Sequence, residues 1–117
     1  MSNPLHENIE VIESGYEFLL AYAAQGRETD EGSDTRAILS GMSDAAAAII
    51  AALLDEDGEF PGIVADDARK AGAAIRLVLS QEKISSELVD NLNASIHLRA
   101  LLTDLFLLSE TSDPERN

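Results

Sequence analysis

The sequence predicts an all-α fold, an antiparallel four-helix bundle that pairs as a dimer, and three observations lead there. Ala, Leu and Glu are abundant, whereas there are only two Tyr, three Phe and no Trp, a balance that favours helix over strand. No segment alternates polar and apolar residues convincingly at period two. Instead, four stretches of similar length repeat apolar residues at helical spacing, joined by short polar connectors. A chain of 117 residues has room for one domain, placed over residues 1–109, and Glu110 to Asn117, with Pro114, is expected to form a disordered acidic tail.

Helix 1 is expected to take Asn3 as N-cap and Pro4 as its first residue, to run through Ala24 and to stop at Gly26. At 100° per residue Leu5, Ile9, Ile12, Tyr16, Leu19, Leu20 and Ala23 share one stripe. Val11, Phe18 and Tyr22, flanked by Gly15, form a second stripe beside it, so helix 1 carries more apolar surface than one neighbour needs. His6, Glu10, Glu13 and Glu17 make up the solvated face. Arg27 to Ser33 is read as a mobile polar connector, with Ser33 or Asp34 capping the next helix.

Helix 2, Thr35 to Leu54, has almost no polar side: only Arg36 and Asp44 are charged. A helix that is apolar or small all round must be covered on all sides, and a chain this short has few elements for that. Its large stripe is Ile38, Leu39, Met42, Ala46, Ile49, Ile50 and Leu53, assigned to its own bundle. The opposite side, Ala37, Gly41, Asp44, Ala48 and Ala51, is small at heptad-like spacing, which lets two helix backbones approach closely. This small side is assigned to a dimer interface, with Val11, Phe18 and Tyr22 of helix 1 beside it.

Asp55 to Gly62 reads as a break, followed by helix 3 from Ile63 or Val64 to Gln81. Its inner face is Val64, Ala68, Ala71, Gly72, Ile75, Val78 and Leu79, while Arg69, Lys70 and Arg76 form a basic patch outside. Helix 4 should open at the Ser85 N-cap with an Ile84–Val89 staple and continue to about Leu108. Within it Ser86, Asp90, Asn93, His97 and Asp104 fall on a polar stripe, and Leu88, Leu92, Ser95, Ile96, Leu102 and Phe106 on the apolar side. Arg99 lies amid that apolar side, where a guanidinium is costly unless paired, so a buried ion pair with Asp44 is expected; the alternative is a head that reaches solvent.

The charge of −14, 22 acids against eight bases, repels nucleic acid and anionic membranes, and attracts a basic protein partner. Without cysteine there is no disulfide, thiolate nucleophile or Cys-ligated metal. The N-terminal residues have no basic and apolar leader pattern, and the run Ala45 to Leu54 is too short to span a bilayer, so a cytoplasmic location is expected.

Candidate chemistry rests on acids. Ferritin-like centres need Glu-x-x-His, and no acid stands three residues before His6 or His97; His6 with Glu10 and Glu13 has the spacing for a surface metal. Glu10-Val11-Ile12-Glu13 and Glu31-Gly32-Ser33-Asp34 resemble the paired-acid Mg²⁺ pattern of MazG-like nucleotide pyrophosphatases, with the second pair in a glycine-containing loop instead of a helix. Asp55, Asp57, Glu59 and Asp66 fall at calcium-loop positions of an EF-hand register, but Phe60 stands where glycine is required. No catalytic triad, phosphate loop or cofactor motif is present. The expected function is therefore a non-enzymatic acidic interaction module, an adaptor, regulator or inhibitor acting as a homodimer, with small acidic immunity proteins and nucleic-acid mimics alike in composition only; the alternative is a metal-dependent pyrophosphatase-like or carboxylate metal-binding protein.

Overall fold

The computed structural model describes residues 4–112, which form five helices and no strand. They are α1 (Pro4–Ala23), α2 (Thr35–Leu53), α3 (Glu59–Leu79), α4 (Ser86–Ala94) and α5 (Ile96–Ser112). Pro4 opens α1, where its missing N–H costs nothing, and Gly26 at φ 67 turns the chain away after the helix ends. Asn3, the expected N-cap, lies outside the described residues.

Two of the boundaries that differ from expectation do so for a local reason. The break before α3 ends at Gly58, whose φ of 107 only glycine adopts easily, and Pro61 falls within the first turn of α3. Proline is tolerated there, so Phe60-Pro61-Gly62 is helix and not loop. The second difference sits at Ser95, which is extended (φ −64, ψ 140) and divides the expected fourth helix in two. Its Oγ accepts the Leu98 N–H at 3.4 Å, so the residue ends α4 and caps α5.

This break changes which residues are inside. In one continuous helix the buried set of α4 (Ser86, Val89, Leu92, Asn93) and that of α5 (Leu98, Leu101, Leu102, Leu105) would point roughly 160° apart at 100° per residue. Re-phasing at Ser95 brings both onto the core. Ser86, Asn93 and Asp104, expected on a solvated stripe, are consequently buried, while Ile96 and Phe106, expected inside, are 73% and 53% exposed. The helix also continues through Glu110 to Ser112, and the rest of the expected tail lies outside the described residues.

The helices α2 and α3 pack on one another, α1 packs on α2 and α4, and α5 packs chiefly on α3. The core is aliphatic, with Ile12, Leu19, Leu39, Met42, Ile49, Ile75, Leu98, Leu101 and Leu105 fully buried, each contributing about 1.5–3 kcal/mol by removal from water. By length and composition α2 is apolar enough to cross a membrane, yet its large side chains Leu39, Met42, Ile49 and Leu53 are spent in this core.

The connector Arg27–Asp34 is pinned, not mobile. The Arg27 N–H donates to Ser86 Oγ at 2.8 Å, and Ser86 Oγ–H donates to the Tyr22 carbonyl at 2.7 Å. Asp30 accepts the Ile84 N–H at 2.9 Å and faces Arg36 Nε at 3.2 Å, while the Arg36 guanidinium also reaches the carbonyls of Leu79, Gln81 and Glu82. One arginine thus satisfies the open C-terminal carbonyls of α3 and holds them to the start of α2. The Ile84 N–H first, and Arg36 second, hold the Asp30 carboxyl below its usual range. Its folded pKa is depressed, so this clamp is present above the unfolded carboxylate range and is lost as pH falls through the folded value. The cap of α2 is the Ser33 hydroxyl, which accepts the Thr35 N–H; Asp34 makes no side-chain cap.

Tyr22 ties α1 to the segment before α4: its hydroxyl donates to the Ile84 carbonyl at 2.6 Å with the ring buried, stacked near Phe18 and beneath Arg27. Tyr22→Phe leaves that carbonyl buried and unpaired, and is expected to cost about 1–2 kcal/mol in urea unfolding. An unchanged midpoint would mean that the bond contributes nothing.

Candidate functional site

The outer face of α2 is the feature that the fold leaves open. Around α2 the large residues turn inward, α1 flanks one side and α3 the other, and Ala37, Ser40, Asp44, Ala47 and Ala51 are exposed, with Gly41 and Ala48 half-exposed. This is the small side that the sequence assigned to an interface. Next to it Glu10, Val11, Ser14 and Gly15 of α1 meet Ala37, Ile38 and Gly41 of α2 around an open groove of about 360 Å³. The groove stays open at Gly41, which brings no side chain to it. Gly41 has nothing within 4 Å of where a β-carbon would stand, whereas Gly15 is pressed against Met42.

The expected interface residues therefore divide. Val11, 41% exposed, lines the groove with Ala37 and Gly41, and Asp44, Ala48 and Ala51 continue the same face of α2. Phe18 is half-buried against the core. Tyr22 is fully spent inside its own fold, because its hydroxyl needs the Ile84 carbonyl, and so it presents nothing to a second molecule.

The expected buried ion pair is not formed. Arg99 and Asp44 are both exposed, on α5 and α2, and α5 packs chiefly on α3 instead of α2. The phase change at Ser95 is the cause: it turns Arg99 out of the apolar side on which a continuous helix would have kept it. Of the described arginines Arg99 is the one whose guanidinium has no partner, since Arg27, Arg36, Arg69 and Arg76 each reach a carbonyl, carboxylate or hydroxyl.

The acids proposed for metal do not converge. His6 Nε2 stands 3.6 Å from Glu10 Oε1 on an open helix face, with Glu13 half-buried round the helix. Glu31 and Asp34 belong to the connector beyond the far end of α1, which itself lies about 15 Å from Glu13 at 1.5 Å per residue. Asp55 and Asp57 are in a turn, but Glu59 opens α3 and Asp66, two turns into that helix, is taken by Arg69 at 2.9 Å and Lys70 at 3.1 Å. Those two bases hold the Asp66 carboxyl below its usual range. Among the described residues no three His, Asp or Glu side chains form a set that could hold a metal ion.

One acid pair was not legible in the sequence. Asp104 of α5 is 9% exposed beside Asp67 of α3, and its Oδ2 has no partner among the described residues. Burial, and then the neighbouring Asp67 carboxyl, push Asp104 up to about 7. With α4 and α5 read as one helix, Asp104 appeared solvated; only the re-phasing turns it toward α3. Comparison with protein-family models, with curated proteins and with solved structures found no match.

Proposed function

We propose that this chain is a non-enzymatic acidic interaction module: an antiparallel four-helix bundle, with α4 and α5 as one bent leg, that self-associates as a homodimer through the open α2 face and meets a basic protein partner with its acidic faces. The observation that carries this reading is the α2 outer face. In a chain of charge −14 that face bears a single charge, Asp44, and it adjoins an apolar groove. Two such molecules repel least where they meet on their least charged surface. Glu17 on an exposed position of α1, and Asp55, Glu56 and Asp57 after α2, are acids that a cationic partner would meet.

Light scattering across a concentration series tests the self-association. The native chain is expected to reach at least the mass of two chains, and Gly41→Leu, which projects a side chain into free space over the groove, to remain single with unchanged thermal stability. A native protein that stays single at every concentration removes this reading. Affinity capture at low and then high salt tests the second half, since a partner held by the acidic faces is released as charges are screened.

A further inference from the structure

The face of α5 opposite its buried side also exposes apolar residues, and these are large. Ile96 is 73%, Phe106 53% and Leu107 51% exposed, and at 100° per residue all three lie with Arg99 and Thr103 on one outer edge. The molecule thus carries a ridge of large side chains on α5 and a groove of small ones between α1 and α2. The ridge carries Arg99, whose guanidinium has no partner among the described residues, and also Glu110 one turn beyond Phe106, while Asp44 and Glu10 border the groove; the opposite charges are those of Arg99 and Asp44.

We propose that the second copy enters the α1–α2 groove with its α5 ridge, so that Arg99 of one protomer meets Asp44 of the next. This rests on the self-association proposed above and names its geometry. The spacing agrees. Arg99 and Phe106 are seven residues apart on α5, as are Asp44 and Ala37 on α2, so both pairs span about 10.5 Å of helix. An antiparallel crossing that sets Arg99 over Asp44 therefore sets Phe106 over the groove at Ala37 and Gly41. A two-fold pairing of α2 with itself does worse, because Asp44 is the middle residue of α2 and antiparallel stacking about the helix centre would bring two carboxylates together. Ridge and groove share no residue, one on α5 and the other between α1 and α2, so a pair of copies keeps one free ridge and one free groove, and association extends past two as concentration rises.

Two exposed substitutions separate the arrangements in sedimentation experiments. Arg99→Glu removes the ridge charge and Gly41→Leu closes the groove, and each is expected to weaken association at least about tenfold while leaving the thermal midpoint in place. Mixed together, the two variants form a one-to-one complex and nothing larger, because only the intact groove of the first and the intact ridge of the second remain. If Arg99→Glu associates as the native chain does while Gly41→Leu does not, the α2 face pairs with itself; this geometry is then overturned and the self-association reading stands. A native chain that remains single overturns both.

Discussion

Valine in place of Gly15 is expected to lower stability by about 3 kcal/mol, although valine is the better helix former. A β-carbon at this position would stand 2.5 Å from both Cγ and Sδ of Met42, far inside contact distance. Met42 is fully buried among the core residues of α2, so its proximal atoms have nowhere to retreat without moving α2 from α1. Gaining helix propensity over glycine is worth about 0.5 kcal/mol, and overpacking of a dense core costs more. Chemical denaturation of the single variant and of Gly15→Val/Met42→Ala distinguishes this cause from a local backbone effect. The valine should cost less than half as much once the methionine is truncated, because the clash is with that side chain. Equal costs in both backgrounds would show that close approach of α1 to α2 at Gly15 is not what the glycine provides.

Asp104→Asn is expected to make stability nearly independent of pH between about 4 and 7, and to stabilise the protein by about 2 kcal/mol above that range. The sign follows from the raised carboxyl. Asp104 titrates at about 7 in the fold, held up by burial and then by Asp67, and at about 4 in the unfolded chain. Between those values the folded state holds a proton that the unfolded state has released. Native stability therefore falls as pH rises through this window and is flat above it. Asparagine cannot ionise, and its amide can donate to Asp67, so the penalty of a second charge between α3 and α5 disappears. Thermal midpoints measured over this range for both proteins test the argument, and a native midpoint that rises through the window would overturn it.

Much of the chain was legible from periodicity because burial of a helix face leaves a repeat in the sequence. The inner stripes of α2 and α3, the stop at Gly26 and the Ser85 cap, whose Oγ accepts the Leu88 N–H at 3.0 Å, all lie where local chemistry places them, whereas in α1 the inner face takes Gly15 and Tyr22 and leaves Leu20 exposed. The small outer side of α2 was legible for the same reason, and three of the interface residues named for it and α1, Val11, Ala37 and Gly41, border one groove. The failure with the widest consequence sits at one residue. A serine at the centre of an apolar helical pattern reads equally as a tolerated polar residue or as a cap, and the wrong choice at Ser95 inverted the faces of everything after it.

By itself, then, the sequence determined the helical class, the division of α2 into a large side and a small side, and the acidity that leaves few places where two copies can meet. Those properties are local or additive, set by propensity, spacing and charge. Only the tertiary structure decided that Arg99 and Asp44 are both exposed and unpaired with one another, that Tyr22 belongs to the core, that the connector before α2 is clamped by Asp30 and Arg36, and that Asp104 is buried beside Asp67. Tyr22 and the clamp depend on Ile84, dozens of positions away, meeting them in space, and Arg99 and Asp104 depend on a change of helix phase that the burial of Leu98, Leu101 and Leu105 enforces.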